Sequence, residues 1–257
     1  MATIMFETFA VPALIFLQQS ILSLYSSGRT TGTVLYSGDT VTEIAPMIDG
    51  FLQHQAITSL SIAGRELTQC MMRLIKDHGH YLGTTSRFEI ARDLKEKHCY
   101  VASDYAAEME KAPASSELKI TYEMPDHQML TIGNERFRCM EPLFQPRLAD
   151  LDESPLHMKL HESILNCDVD KPQDLYSSII LSGGTTLAPG FTERLKNEAV
   201  ATSPPNIRIR MVADPLRDNS VWIGGSIFAS LDSIKDIWVT KKQYDESGPS
   251  IIHQKHL

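Results

Sequence analysis

Long apolar runs are missing from this chain of 257 residues. The longest near its start, Phe9 to Leu17, falls short of the roughly 20 residues that span a bilayer and ends in Gln18-Gln19. Basic residues are scarce as well. Lys and Arg number 24 against 32 Asp and Glu, and the net charge of −8 argues against a nucleic acid as the main partner. No Lys or Arg precedes Arg29, so the basic start of a signal peptide is absent and a cytoplasmic protein without membrane partners is expected. Cysteine is rare: Cys70, Cys99, Cys139 and Cys167 stand far apart with no C-x-x-C pair, which suits free thiols rather than a disulfide framework. No segment repeats with a period of about 20 to 50 residues, which excludes a solenoid.

What is present is an ordinary globular composition, 42% hydrophobic and 22% charged, in a chain long enough for one large or two moderate domains. Residues 2 to 28 read as an apolar helix entered in mid-course, with Ile4, Phe9, Leu14, Leu17, Ile21 and Leu24 seeking cover. After Gly28 the pattern turns to short strands joined by glycine turns. The stretch 59–79 reads as strand, Gly64 turn and amphipathic helix, and 86–102 as a second charged helix. A β-hairpin is predicted across Pro125-Asp126. Ser154 is predicted to cap a helix that starts at Pro155. Residues 175–200 read as strand, glycine turn and helix, and the chain closes with a helix pair. Strands alternating with helices indicate an α/β protein with a less regular insert near residues 64 to 150.

Two glycine turns carry the candidate chemistry. "YSGDTVTEIAP" (36–46) joins two strands, and "LSGGTT" (181–186) links a strand to a helix. Turns of this kind offer backbone N–H groups to an anion, and paired glycines allow close approach. Arg92, Lys95 and Glu96 share one helix face at i, i+3 and i+4; a solvated charged face and a ligand contact both fit that spacing. His157 and His161, at i and i+4, have zinc spacing but no third ligand in sequence, and surface histidines are expected. His78 and His80 read as turn decoration. No Ser-His-Asp or Cys-His set stands out.

Several stretches taken together resemble the actin family in order and spacing: "IMFETF", "LSLYSSGRTTG", "IAGRELT", "RDLKEKHCYVA", "IGNERFRC", "LSGGTT", "SVWIGGSIFASL" and "YDESGPSIIH". The resemblance covers essentially the whole chain and starts about a third of the way into an actin. It implies an actin-like (ribonuclease H-like ATPase) fold: mainly the large inner half with an inserted subdomain, the small outer domain incomplete. The domains it implies are 1–26 with 220–257 as an outer-domain remnant, 27–62 with 152–219 as inner core, and 63–151 as insert. It implies ATP and Mg2+ as cofactors. Ser37, Gly38, Asp39 and Val41 match the second phosphate loop, Asp39 reaching the metal through water. Gln19 matches the glutamine that positions the attacking water. Gly64, Arg92, Lys95 and Glu96 match groups around ribose and base, and Gly183, Gly184 and Thr185 the turn beside the nucleotide. Tyr25, Gly28, Thr30, Ile223, Ile227, Phe228, Leu231 and Ile237 match the hydrophobic cleft that receives partner helices.

The departures cluster around the same site. Tyr36 stands where the family has an aspartate, Thr40 replaces a glycine, Glu43 a histidine and Ser61 an aspartate. Ala188 removes an aromatic and Asp218 reverses a lysine's charge. The absent first phosphate loop implies a loss of about four or five hydrogen bonds, roughly 4 to 10 kcal/mol. The expectation is a cytoskeletal interaction module that binds actin or actin-binding proteins, with nucleotide binding weak or lost and no ATPase. An ATP-binding subunit that self-associates into filaments is the alternative, and a truncated product without autonomous function the second. Arg147 and Asp150 make the segment matching the filament plug, "QPRLADLDE", more polar.

Overall fold

A computed structural model describes residues 1–79, 86–125, 127–168 and 172–254. His80 and Asp126, both singled out above, lie outside the described residues. At the centre is a mixed sheet. The Gly32–Ser37 strand pairs antiparallel with Thr42–Ile48 and parallel with Ile179–Ser182, which pairs parallel with Met211–Val212. Two short strands, Phe51–Leu52 and Thr58–Leu60, complete the outer edge beyond Thr42–Ile48.

Side-chain alternation explains why this sheet is covered on both faces. Leu35 is opposite Ile44 on one neighbour and Leu181 on the other, and this row faces the Leu156–Leu165 and Phe191–Thr202 helices in the main core. One residue along, Val34 sits between Ala45 and Ile180, and that face packs on Ile21 and Leu24 of the Gln19–Ser26 helix. Each such side chain, fully buried, contributes about 1.5–3 kcal/mol. Leu67, Leu94 and Leu130, from the stretch between Gly64 and Ile132, belong to the same cluster as Leu35, Leu160 and Leu195.

The Gln19–Ser26 and Ser220–Ala229 helices cross very closely. A Cβ on Gly224 would stand 1.7 Å from the Leu22 carbonyl oxygen, so only glycine fits there. Below the crossing, Ser182 Oγ lies 2.9 Å from Ser23 Oγ and 2.6 Å from Ser220 Oγ, a buried hydroxyl chain that ties both helices to the sheet.

The predicted continuous helix over 2–28 does not form. A short π-helix, Ile4–Thr8, ends before Ala10, whose φ is +50°, and Pro12 follows. Proline fixes φ and has no N–H to donate, so the chain leaves the helix there. Ala13–Leu14 then pairs antiparallel with Val239–Thr240, and the helix resumes only at Gln19. Phe6, stacked on Tyr244 with ring centroids 4.5 Å apart, builds a separate small core with Val239, Ile251 and Ile252. Pro155, rather than Ser154, takes the N-cap position of the Leu156–Leu165 helix, with no side-chain cap bond. The Ile120–Glu123 and Met129–Ile132 strands form the predicted hairpin. Of the closing helix pair, Lys241–Ser247 starts with a full capping box from Thr240 and Gln243.

Candidate functional site

Two adjacent parallel strands, Gly32–Ser37 and Ile179–Ser182, run into glycine turns at their carboxyl ends, where open α/β sheets place ligands. The two turns nearly touch. Gly183 has φ +89°, and a Cβ on it would stand 2.3 Å from the Ser37 carbonyl oxygen. The Gly38 carbonyl accepts from the Gly64 N–H at 2.9 Å and from the Thr185 hydroxyl at 2.8 Å. Three turns are thereby clamped around one oxygen. They open onto a cavity of 550 Å³.

Gly38, Asp39, Gly64, Lys95, Glu96, Gly184 and Thr185 line that cavity, as do Tyr36, Ala188 and Asp218. The other candidates stand apart. Ser37 is buried, its hydroxyl 2.7 Å from Thr42 Oγ1, which donates to the Ile62 carbonyl; it points into the sheet instead. Val41 only accepts the Gly38 N–H, and Gly183 shapes the turn from behind. Arg92 pairs with Glu89 on its own helix, outside the cavity. Gln19 is exposed at the start of its helix and is not among the lining residues. Ser61, another departure, donates to Glu153 away from the site.

Tyr36 lies against the turn. Its hydroxyl lies 2.6 Å from the position a Gly38 Cβ would take, so the phenol covers the Gly38 turn. Burial pushes its pKa up, and Glu43, its cross-strand partner, pushes the same way. Asp39 is engaged by Arg65, whose Nε and Nη2 donate to one carboxylate oxygen at 3.2 and 3.0 Å. Lys95 donates to the Gly64 carbonyl at 2.6 Å. Its burial lowers the ammonium pKa, against the pull of Glu96. Asp39, Glu96 and Asp218 thus set three carboxylates against the one lysine on the cavity wall. Among the described residues no group of three His, Cys, Asp or Glu is placed to hold a metal ion. His161 instead contacts the Tyr176 hydroxyl, His157 stacks on Phe144, and His78 pairs with Glu135.

Sequence reasoning missed the Asp39–Arg65 pair and the apolar side of the cavity, which Leu67, Met140 and Leu187 supply. Arg65 follows Gly64 directly, and its backbone N–H also donates to the Asp39 carbonyl at 2.7 Å; that adjacency was the available signal.

A second surface lies on the sheet's other side, at the helix crossing. Tyr25 meets Phe228 edge to face at 5.3 Å. Phe228 is buried, and Ile223, Leu231 and Ile237 are partly buried. Ile227 is 40% exposed, and Gly28 and Thr30 are exposed on the turn after Tyr25. Trp222, which the sequence reading left out of this set, is 76% exposed on the same helix. No helix among the described residues is long and apolar enough to cross a membrane. A comparison with protein-family models matches the one described as Actin to residues 1–257.

Proposed function

The chain belongs to the actin family over all its 257 residues, and from that premise we propose that it serves as an actin-like interaction module whose nucleotide cleft no longer holds Mg-ATP. Members of the family generally bind ATP and Mg2+. The residues in this cleft do not fit that pair. The observation that carries the reading is Tyr36 lying over Gly38, where a phosphate would need the bare turn. Asp39 is engaged by Arg65, and the remaining two acids, Glu96 and Asp218, outnumber Lys95 on the wall and disfavour a polyanion. Gln19, the one residue matched to positioning the attacking water, is exposed and off the cavity.

The interaction surface in this reading is the helix crossing around Tyr25, Ile223, Ile227 and Phe228, with Trp222 exposed beside it. Its partners are actin or actin-binding proteins, in the cytoskeleton. The division into 1–26 with 220–257, 27–62 with 152–219, and 63–151 belongs to the same proposal. A second reading, an ATP-binding subunit that self-associates, draws on the convergence of Gly38, Gly64 and Thr185, which remains intact.

A thermal melt with and without millimolar Mg-ATP separates the two. A ligand at 100 times its Kd raises stability by about 2.7 kcal/mol, several degrees in Tm. The proposed module melts at the same temperature in both, and pellets with preformed actin filaments. A transition that moves with Mg-ATP, accompanied by pelleting of the chain alone, establishes the second reading instead.

A further inference from the structure

Cys99 and Pro189 line the cleft on one side and a second cavity, of 640 Å³, on the other. This second cavity has a fixed cation. Arg136 Nε donates to the His98 carbonyl at 2.9 Å and Nη1 to the Leu118 carbonyl at 3.1 Å. The guanidinium carbon stands 5.3 Å from the Tyr100 ring centroid, so the plane is held on three sides. Two carbonyls orient the group without neutralising it. Of its five N–H donors, these bonds use two, and no ion pair among the described residues includes Arg136.

Of the other charged residues lining the cavity, Lys97 and Glu108 are engaged, while Lys111 and Glu117 also stand in its wall. Lys97 pairs with Asp93 at 2.8 Å, and Glu108 accepts the Tyr100 hydroxyl at 2.6 Å. Burial and that bond hold Tyr100 above the usual tyrosine range, so it stays a neutral donor. The remaining walls include Val101, Leu118 and Pro189, which are apolar. An oriented guanidinium beside apolar walls in a cavity of this volume is a receptor for a planar anion. Glu108 and Glu117 in the wall weigh against a phosphate dianion and favour a single negative charge.

We propose that this cavity binds a small organic carboxylate, its planar head accepting from Arg136 and its body lying on Val101, Leu118 and Pro189. The site stands independently of whether the neighbouring cleft takes a nucleotide.

Titration of the full chain with benzoate and with benzamide, followed by NMR, tests this on the unaltered protein. The two probes share a shape and differ in charge. Benzoate gives saturable shifts at the Arg136 side-chain Nε–H and at Tyr100, benzamide binds at least tenfold more weakly, and Arg136→Gln lowers benzoate affinity by tenfold or more. Lys111→Gln, at the same cavity but with no part in fixing Arg136, changes it less. Equal binding of the two probes, no saturable shift, or shifts centred on Lys95 and Thr185 overturns the proposal. Should Arg136→Gln fail to fold, the comparison of the two probes still decides.

Discussion

Tyr36 lies across Gly38, its hydroxyl 2.6 Å and its ring carbon Cζ 3.0 Å from the point that a Gly38 Cβ would occupy. The two residues depend on each other: the ring has room only because the turn is bare. Gly38→Ala forces the phenol off the turn and costs about 1 kcal/mol, the lower end of overpacking penalties. In a Tyr36→Ala background the same substitution meets no ring, so its cost largely disappears. Urea unfolding of the four species gives a coupling energy of about 1 kcal/mol. Additive effects would mean that Tyr36 does not occupy the turn.

The Asp39–Arg65 pair is a clamp of a weaker kind. Both side chains are about half exposed, 52% and 53%, so solvent screens the pair. Exposed pairs contribute roughly 0 to 1 kcal/mol. Arg65→Ala is therefore expected to lower stability by less than about 1 kcal/mol, with a difference from the parent that shrinks as salt rises. The backbone bond from Arg65 N–H to the Asp39 carbonyl survives the substitution and keeps the turns together.

The buried hydroxyl chain Ser23–Ser182–Ser220 predicts a larger effect from a smaller change. Ser182 sits between two hydroxyls that also donate to the carbonyls of Gln19 and Arg217. Ser182 has one proton left to give to one of the two oxygens, so Ser182→Ala removes one buried hydrogen bond and the hydroxyl that stands between the two helices. The expected loss is about 1 to 3 kcal/mol, read as a lower midpoint in denaturant with an unchanged slope.

Much of this arrangement was legible in the sequence, and the limits have physical reasons. Glycine at the end of a strand marked the turns at Gly38, which leads into a second strand, and at Gly64 and Gly183, which lead into helices, because few other residues tolerate such close approach. The family resemblance, carried by motifs spread over the chain, matches the family finding for residues 1–257. Ser37 shows a signal that was present and unused. It shares strand parity with Leu35, so alternation already assigns it to the buried core side, away from Tyr36. Pro12 was equally visible as a helix breaker. The Asp39–Arg65 pair was signalled only by Arg65 following Gly64, and the serine chain could not be read, since it joins side chains from separate elements. Periodicity reports which face a residue occupies and says nothing of the partner it meets across a turn.

Neighbouring glycines at the helix crossing give opposite predictions. Gly224→Ala places a methyl 1.7 Å from the Leu22 carbonyl oxygen, a backbone atom that cannot swing aside. The Gln19–Ser26 and Ser220–Ala229 helices must separate, at a cost of about 3 kcal/mol or more. Gly225→Ala meets only the Leu22 Cδ1, at an ordinary 3.7 Å. There the gain in helix propensity, about 0.5 to 1 kcal/mol, is left unopposed. A raised Tm for Gly225→Ala beside a collapsed one for Gly224→Ala confirms the crossing; similar values for both would refute it.

Alkaline unfolding tests the interior directly. Burial pushes Tyr176 up to about 12 from the ordinary 10.0, and His161 contacts its hydroxyl. A raised folded value means that the native state keeps its proton when the unfolded chain has lost it. The stability this contributes is fully present below pH 10.0 and is lost as pH rises through about 12. Stability should therefore fall across that window. In Tyr176→Phe, which lacks the proton, the fall should be shallower, although the variant starts lower by the lost contact with His161. Parallel pH profiles for the two proteins would place the alkaline sensitivity elsewhere in the chain.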